Sequence, residues 1–140
     1  MVKLSRDAKL LRNLLVVYII ADIFLTPIGG LETRPSANIT TVGFATVGLL
    51  FVGLALNIFS LVWIFRSPRR SPLLAFIGSA LYFPAAIADS SGLFSTIQRP
   101  LGIAYLEAIE GVVALALIIL AVRVSKENPK GQASSATIAS

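Results

Sequence analysis

The chain has 140 residues, of which 56% are hydrophobic and only 14% are charged. This composition is typical of one membrane domain rather than a soluble one. The net charge of +5 comes from lysines and arginines in short clusters beside apolar runs, which indicates membrane orientation and argues against nucleic-acid binding. Without cysteine or histidine, the chain can form no disulfide, Cys/His zinc site, His- or Cys-ligated haem or Ser-His-Asp triad. We expect no cofactor.

The first predicted membrane span covers residues 14–30 and follows a basic N-terminus at residues 1–13. Asp22 and Thr26 are the polar side chains of this span. A secretory signal peptide is the alternative, because it also begins with basic residues and a short apolar core. We favour a retained span, since Asp22 interrupts the core and no A-x-A-like cleavage site follows.

The second predicted span, residues 42–65, is the clearest of the four. Asn57 is its one strongly polar side chain, and we expect it to form a hydrogen bond between helices. Trp63 lies near one end, where interfacial aromatic residues are common. In the connector before this span, Asn38 begins an Asn-Ile-Thr sequence that fits an N-glycosylation acceptor, although three residues are weak support.

A basic turn at residues 66–72 contains two prolines and separates the second span from the third. Its residues Arg66, Arg69 and Arg70 are suited to anionic lipid headgroups, although membrane orientation already accounts for them. The third span, residues 73–89, contains Pro84, and we expect a bend about one turn before its end.

The fourth predicted span, residues 101–122, carries Glu107 and Glu110. Two acids at mid-span cost roughly 5–7 kcal/mol on an insertion scale, about as much as the Leu, Ile and Val residues of the span contribute. These acids must therefore be protonated, paired or hydrated. Beyond this span, residues 126–140 are small and polar, and we expect a disordered cytoplasmic tail.

The distribution of basic residues predicts that both termini face the cytoplasm. Four spans with this N-in/C-in arrangement leave only Arg34 and Arg99 outside. The positive-inside rule places the other ten in the cytoplasm. These are Lys3, Arg6, Lys9, Arg12, Arg66, Arg69, Arg70, Arg123, Lys126 and Lys130. The predicted fold is therefore an all-α bundle of four membrane helices in the cell membrane.

Helical spacing gives each span one stripe of small and polar residues. Such stripes let membrane helices approach closely, so we expect them to face inward. The stripes contain Tyr18, Asp22 and Thr26; Thr46, Gly53, Asn57 and Ser60; Gly78, Tyr82, Ala85 and Asp89; and Ile103, Glu107, Glu110, Gly111 and Ala114. By helical rise, Asp22, Glu107 and Glu110 fall at similar depths in the outer half of the membrane, with Asp89 above them.

Three interpretations of this polar cluster remain open from the sequence. In the first, the acids are structural and pair with Arg99 or with a neighbouring subunit, and the chain is a non-catalytic component of a membrane complex or a homo-oligomer. In the second, Asp22, Glu107 and Glu110, with Asp89, form a proton or cation pathway. In the third, a membrane enzyme uses the carboxylate pair on a lipid or isoprenoid. No nucleophile or cofactor motif supports the enzyme, and the identity of any metal is open.

Overall fold

The computed structural model describes residues 4–25, 34–66 and 70–127, and within these ranges the chain is all-helical, as predicted. Its elements, in order, are α1 (Arg6–Leu25), a 3-10 helix (Ser36–Asn38), α2 (Thr41–Trp63), α3 (Arg70–Ala80), α4 (Tyr82–Ser90) and α5 (Leu101–Glu127). The predicted positions of Thr26, Arg69 and the tail after Glu127 lie outside the described residues.

Three stretches are long and apolar enough to cross a membrane: Thr41–Trp63, Arg70–Ser90 and Leu101–Glu127. The chain is thus a helical protein with membrane-spanning character. The described part of α1 does not meet the same criterion, because it includes Lys9, Arg12 and Asp22 in its 20 residues.

Two helices extend beyond the apolar segments that predicted them. Helix α1 begins at Arg6 rather than residue 14, and the Ser5 hydroxyl accepts a 3.2 Å hydrogen bond from the Ala8 amide in its first turn. Helix α5 continues past Arg123 to Glu127 rather than ending at residue 122. Hydropathy marks the segment suited to lipid, whereas capping hydrogen bonds determine where a helix begins.

The third apolar segment is divided between α3 and α4 at Leu81. Pro84 lies in the first turn of α4, where backbone amides have no partner within the helix, so proline removes no helical hydrogen bond there. The interruption therefore lies three residues before the proline. It lies about two turns before Asp89, whereas we predicted a bend about one turn before the end of the span. The Leu81 amide still donates to the Ile77 carbonyl at 3.1 Å, so the backbone continues with little disruption.

Helices α2 and α3 approach each other closely at two glycines. A Cβ atom added to Gly53 would lie 2.7 Å from the Gly78 carbonyl oxygen, and one added to Gly78 would lie 2.8 Å from the Gly53 carbonyl oxygen. Near the connection between these helices, the Ser60 hydroxyl donates to the Ser71 carbonyl at 2.7 Å, and the Ser71 hydroxyl donates to the Ser60 carbonyl at 2.9 Å. Small residues thus hold α2 against α3 over several turns.

Asn57 lies at this contact but does not form the hydrogen bond expected of it. Its side chain is fully buried, and a Cβ on Gly78 would lie 2.6 Å from its Oδ1 atom. Neither Oδ1 nor Nδ2 has a hydrogen-bond partner among the described residues. The facing surface of α3 is helical backbone at Gly78, whose polar groups are used within its own helix.

An apolar core lies among α1, α3 and α5, towards the end of the molecule where α1 begins and α5 ends. It includes Leu11, Leu15, Ala75, Leu117, Leu120, Ala121 and Val124. Many large apolar side chains on the other helix faces are exposed, among them Val17, Phe44, Phe59 and Val112. Exposure on this scale is typical of surfaces that contact lipid rather than water.

Replacing Gly53 with alanine is expected to lower the free energy of unfolding by about 1–3 kcal/mol, because the added methyl group collides with the α3 backbone. Gly48→Ala is the matched control on α2, since a Cβ there has nothing within 4 Å. Unfolding of the two purified variants in detergent, followed by Trp63 fluorescence, measures the difference. Equal stability of the variants would contradict the close α2–α3 contact.

Candidate polar cluster between the helices

Two connectors meet at the end of the molecule opposite the apolar core and form a cap. Ile39 and Ser95 pair as an antiparallel bridge. The Thr40 amide donates to the Phe94 carbonyl at 3.0 Å, and the Thr96 amide donates to the Asn38 carbonyl at 2.9 Å. The residues before α2 are thereby joined to the residues before α5.

The Asn38 side chain belongs to this cap. Its Nδ2 atom donates to the Thr96 hydroxyl at 3.1 Å. The atom to which a glycan would be attached is therefore engaged in the contact between the connectors.

Arg34 anchors the cap to α4. Its guanidinium donates to both carboxylate oxygens of Asp89, at 2.5 and 3.1 Å, and lies 4.6 Å from the centre of the Phe94 ring. The side chains of Arg34 and Asp89 are only 3% and 7% exposed. A buried, two-pronged ion pair of this kind holds both its partners in fixed positions.

Arg99 forms the second anchor. Its guanidinium donates to Glu107 on α5 and to the Ser90 hydroxyl at 3.2 Å, and lies 3.8 Å from Asp89. Arg34, Asp89, Arg99 and Glu107 thus form one continuous group, which we call the outer ion-pair chain. With two arginines and two acids, its formal charge is balanced.

A cavity of about 50 Å³ lies beneath the outer ion-pair chain. It is lined by Asp22, Leu25, Arg34, Val47, Leu50, Tyr82, Ala85, Ala86, Asp89, Phe94, Glu107 and Glu110. Helices α1, α2, α4 and α5 all contribute to its wall. A cavity of this volume can hold a few water molecules, since one water molecule requires roughly 10–15 Å³ of accessible volume.

Asp22 and Glu110 are the most deeply buried acids around this cavity, with 3% and 4% of their surfaces exposed. The Oε1 atom of Glu110 is buried and has no hydrogen-bond partner among the described residues. The two side chains come from α1 and α5 and line the same cavity. We call Asp22 and Glu110 the carboxyl pair.

Tyr82 connects α4 to α5 at the same level. Its hydroxyl donates to the Glu107 carbonyl at 2.5 Å, and its ring packs edge-on against Phe83. The tyrosine therefore fills one side of the cavity wall while its own polar group is satisfied.

The structure brings together four of the residues selected from the sequence, because Asp22, Asp89, Glu107 and Glu110 all line the cavity. Arg99 lies next to them and contacts Glu107. The other selected residues lie elsewhere: Asn57 lies at the α2–α3 contact, and Arg66 and Arg70 are exposed.

Sequence reasoning did not assign Arg34 or Phe94 to the cluster. Arg34 did carry a signal, since it is one of only two basic residues in the predicted outer connectors, and each of these two precedes a proline. The sequence contains no signal that distinguishes Phe94 from other apolar residues near a helix end.

Among the described residues, no group of three or more acids is arranged to hold a metal ion. Asp89 and Glu107 are already bonded to arginines. The arrangement is therefore suited to ion pairing and to holding water or protons, rather than to binding a metal through carboxylates alone.

Arg34→Ala is expected to lower the free energy of unfolding by about 3–5 kcal/mol, because it leaves the Asp89 carboxylate buried and without its main partner. Adding Asp89→Asn should recover part of this loss, since the uncompensated charge is then removed. Arg123→Ala is the control, because Arg123 is exposed. Stability in detergent gives the comparison, and a loss no larger than that of the control would contradict the structural role of the ion pair.

Comparison with families of known sequence finds one match, which covers residues 7–136. No curated protein and no solved structure matches the chain. The match includes every residue of the polar cluster described above. The chain belongs to the family described as "Domain of unknown function (DUF8051)".

Proposed function

We propose that the protein crosses the cell membrane four times, with both termini in the cytoplasm. Three of the spans are the stretches that are long and apolar enough by themselves, and helix α1 is the remaining span. Its inward side chains Leu11, Leu15 and Tyr18 are almost fully buried, while Val16, Val17, Ile20 and Phe24 are exposed. An exposed apolar face on a helix packed beside α5 is suited to lipid.

Contacts at the two ends of the molecule support this topology. The Ser5 hydroxyl donates to Glu127 at 2.7 Å, so the start of α1 and the end of α5 lie at the same end. The two connectors that form the cap lie together at the other end. A chain that crosses a membrane an even number of times has both termini on the same side. The basic residues near the start of α1 and the end of α5 then orient that side towards the cytoplasm.

We further propose that the protein is a non-catalytic component of a membrane assembly, as a homo-oligomer or with other membrane subunits. The observation that carries this proposal is the apolar packing that closes the helix bundle at the end opposite the cap. The outer ion-pair chain lies over the cavity on one side, and Leu11, Leu15, Leu117 and Leu120 fill the space on the other. Two of the four acids already have internal partners.

Proton- or cation-coupled transport is the second candidate function. It is favoured by one observation, the buried and unpartnered oxygen of Glu110 beside a cavity. Transport would require the apolar packing of Leu15 and Leu117 to open, whereas in the assembly proposal this packing stays closed.

Topology can be tested by labelling single cysteines, because the natural chain has none. We expect Ser36→Cys to react with a membrane-impermeant maleimide in intact cells, and Ser125→Cys to react only after permeabilisation. Both positions are exposed in the structure, so a difference in reactivity reports the side of the membrane. Equal labelling in intact cells, or the reverse pattern, would contradict the N-in/C-in arrangement.

The assembly proposal predicts that the purified protein does not dissipate a proton or cation gradient in liposomes faster than empty vesicles do. In mild detergent, the chain should migrate as a species larger than one 14.9 kDa chain with its detergent. Two differently tagged copies, expressed together, distinguish a homo-oligomer from a complex with other subunits.

Glu110→Gln is the matched variant for the flux measurement, because it keeps the shape of the side chain and removes its ability to gain or lose a proton. Saturable flux that this variant abolishes would replace the assembly proposal with transport. Monomeric migration of the protein, both in mild detergent and after cross-linking in native membranes, would also contradict an assembly role.

A further inference from the structure

The carboxyl pair differs from the other acids of the cluster in its charge balance. Among the described residues, the basic ones that contact the cluster are Arg34 and Arg99, and they are paired with Asp89 and Glu107. Asp22 and Glu110 thus remain as two additional acids at a cavity whose remaining wall is largely apolar. This difference arises from geometry and is independent of the proposed assembly.

Within the described ranges, the surroundings of Glu110 offer no further positive charge. Helix α1 presents Tyr18 and Asp22, α4 presents Tyr82 and Asp89, and α5 presents Glu107. Helix α2 presents only Val47 and Leu50 to the cavity. Arg34 lines the cavity from the cap, where it is bonded to Asp89.

Two ionised carboxylates in this position would be unstable. Burying a charge costs several kcal/mol, and two like charges facing one small cavity repel each other. A metal ion would relieve this cost, but no three acids among the described residues are arranged to hold one. A proton needs no such set of ligands, and a few water molecules in the cavity can accept and donate the remaining hydrogen bonds.

We propose that Asp22 and Glu110 form a proton-binding site, in which the two carboxyl groups and the water between them share at least one proton. The Oε1 atom of Glu110 is buried and has no hydrogen-bond partner among the described residues, so it is available for such a shared hydrogen bond. The ligand is therefore a proton with water rather than a metal ion.

Glu107 provides the route by which protons reach the site. It lines the cavity and contacts Arg99, and the side chains of these two residues are 19% and 25% exposed. Arg34 and Asp89 are much less exposed. Protons therefore enter on the Glu107 side of the outer ion-pair chain.

Dicyclohexylcarbodiimide is a suitable probe, because it reacts with protonated carboxyl groups in apolar surroundings. We expect it to modify Glu110 in the purified wild-type protein, at a rate that falls as the pH is raised. In Asp22→Asn, the fall should occur at lower pH, since no neighbouring anion then favours the protonated form. Peptide mass spectrometry identifies the modified residue, and Glu127→Gln, at an exposed acid, should leave the profile unchanged.

Infrared spectroscopy provides a second measurement that does not depend on access of the reagent. A protonated-carboxyl band that changes with pH should be present in the wild type and lost in Glu110→Gln. If neither this band nor the labelling of Glu110 depends on pH in folded protein, the proposal is wrong. Thermal unfolding of each variant establishes that it is folded.

Competition by cations distinguishes a proton site from a metal site. The labelling is repeated at fixed pH with increasing sodium or potassium chloride, and with choline chloride as the ionic-strength control. We expect sodium and potassium to have no more effect than choline. Saturable protection by either metal ion would overturn the proposal in favour of a cation site.

Discussion

The central physical constraint on this protein is that a charge inside a membrane must be matched by an opposite charge or removed by protonation. The outer ion-pair chain meets this constraint for four residues at once. Because Arg34 precedes α2, Asp89 ends α4, and Arg99 and Glu107 lie around the start of α5, the same bonds determine where three helices meet. The hydrogen bonds between the two connectors hold the cap together, and the outer ion-pair chain attaches it to the helices.

The remainder of the fold divides into two zones with different kinds of packing. At the cap, arginines are paired with Asp89 and Glu107, and the connectors are joined by backbone hydrogen bonds. Farther from the cap, α1, α3 and α5 pack through leucine, alanine and valine, and α2 meets α3 at Gly53 and Gly78. Apolar burial provides little attraction between helices within lipid, so close packing of small residues and specific hydrogen bonds such as Ser60–Ser71 become the stabilising contacts.

The acids of the cluster therefore have separate roles in our interpretation. Asp89 and Glu107 are held by arginines and stabilise the structure, which weakens the argument that they require a charged partner subunit. Asp22 and Glu110 have no arginine partner among the described residues and are the groups that we propose to share a proton. A protein that contributes structure to an assembly can also bind protons at this pair, so the assembly proposal and the proton site do not exclude each other.

The all-helical class and the inward stripes follow from the sequence alone, because hydropathy and a 3.6-residue period are local properties. The candidate acids were also recognisable, since an acid within an apolar run is costly wherever it lies. Helix ends were less predictable: α1 and α5 extend through basic residues that hydropathy assigned to the flanks. Capping and continued helix packing decide these ends.

The partner of each acid was decided only by the tertiary structure. Arg34 lies 55 residues from Asp89, and no local pattern specifies a pairing over that separation. Likewise, the sequence suggested a hydrogen bond for Asn57, but the close approach of α3 places helical backbone in front of it. The sequence by itself determined that the chain has acids within apolar runs and helices suited to lipid. The packing of those helices decided which acids are paired with arginine and which two, among the described residues, are not, because charge balance depends on distances that only the folded chain sets.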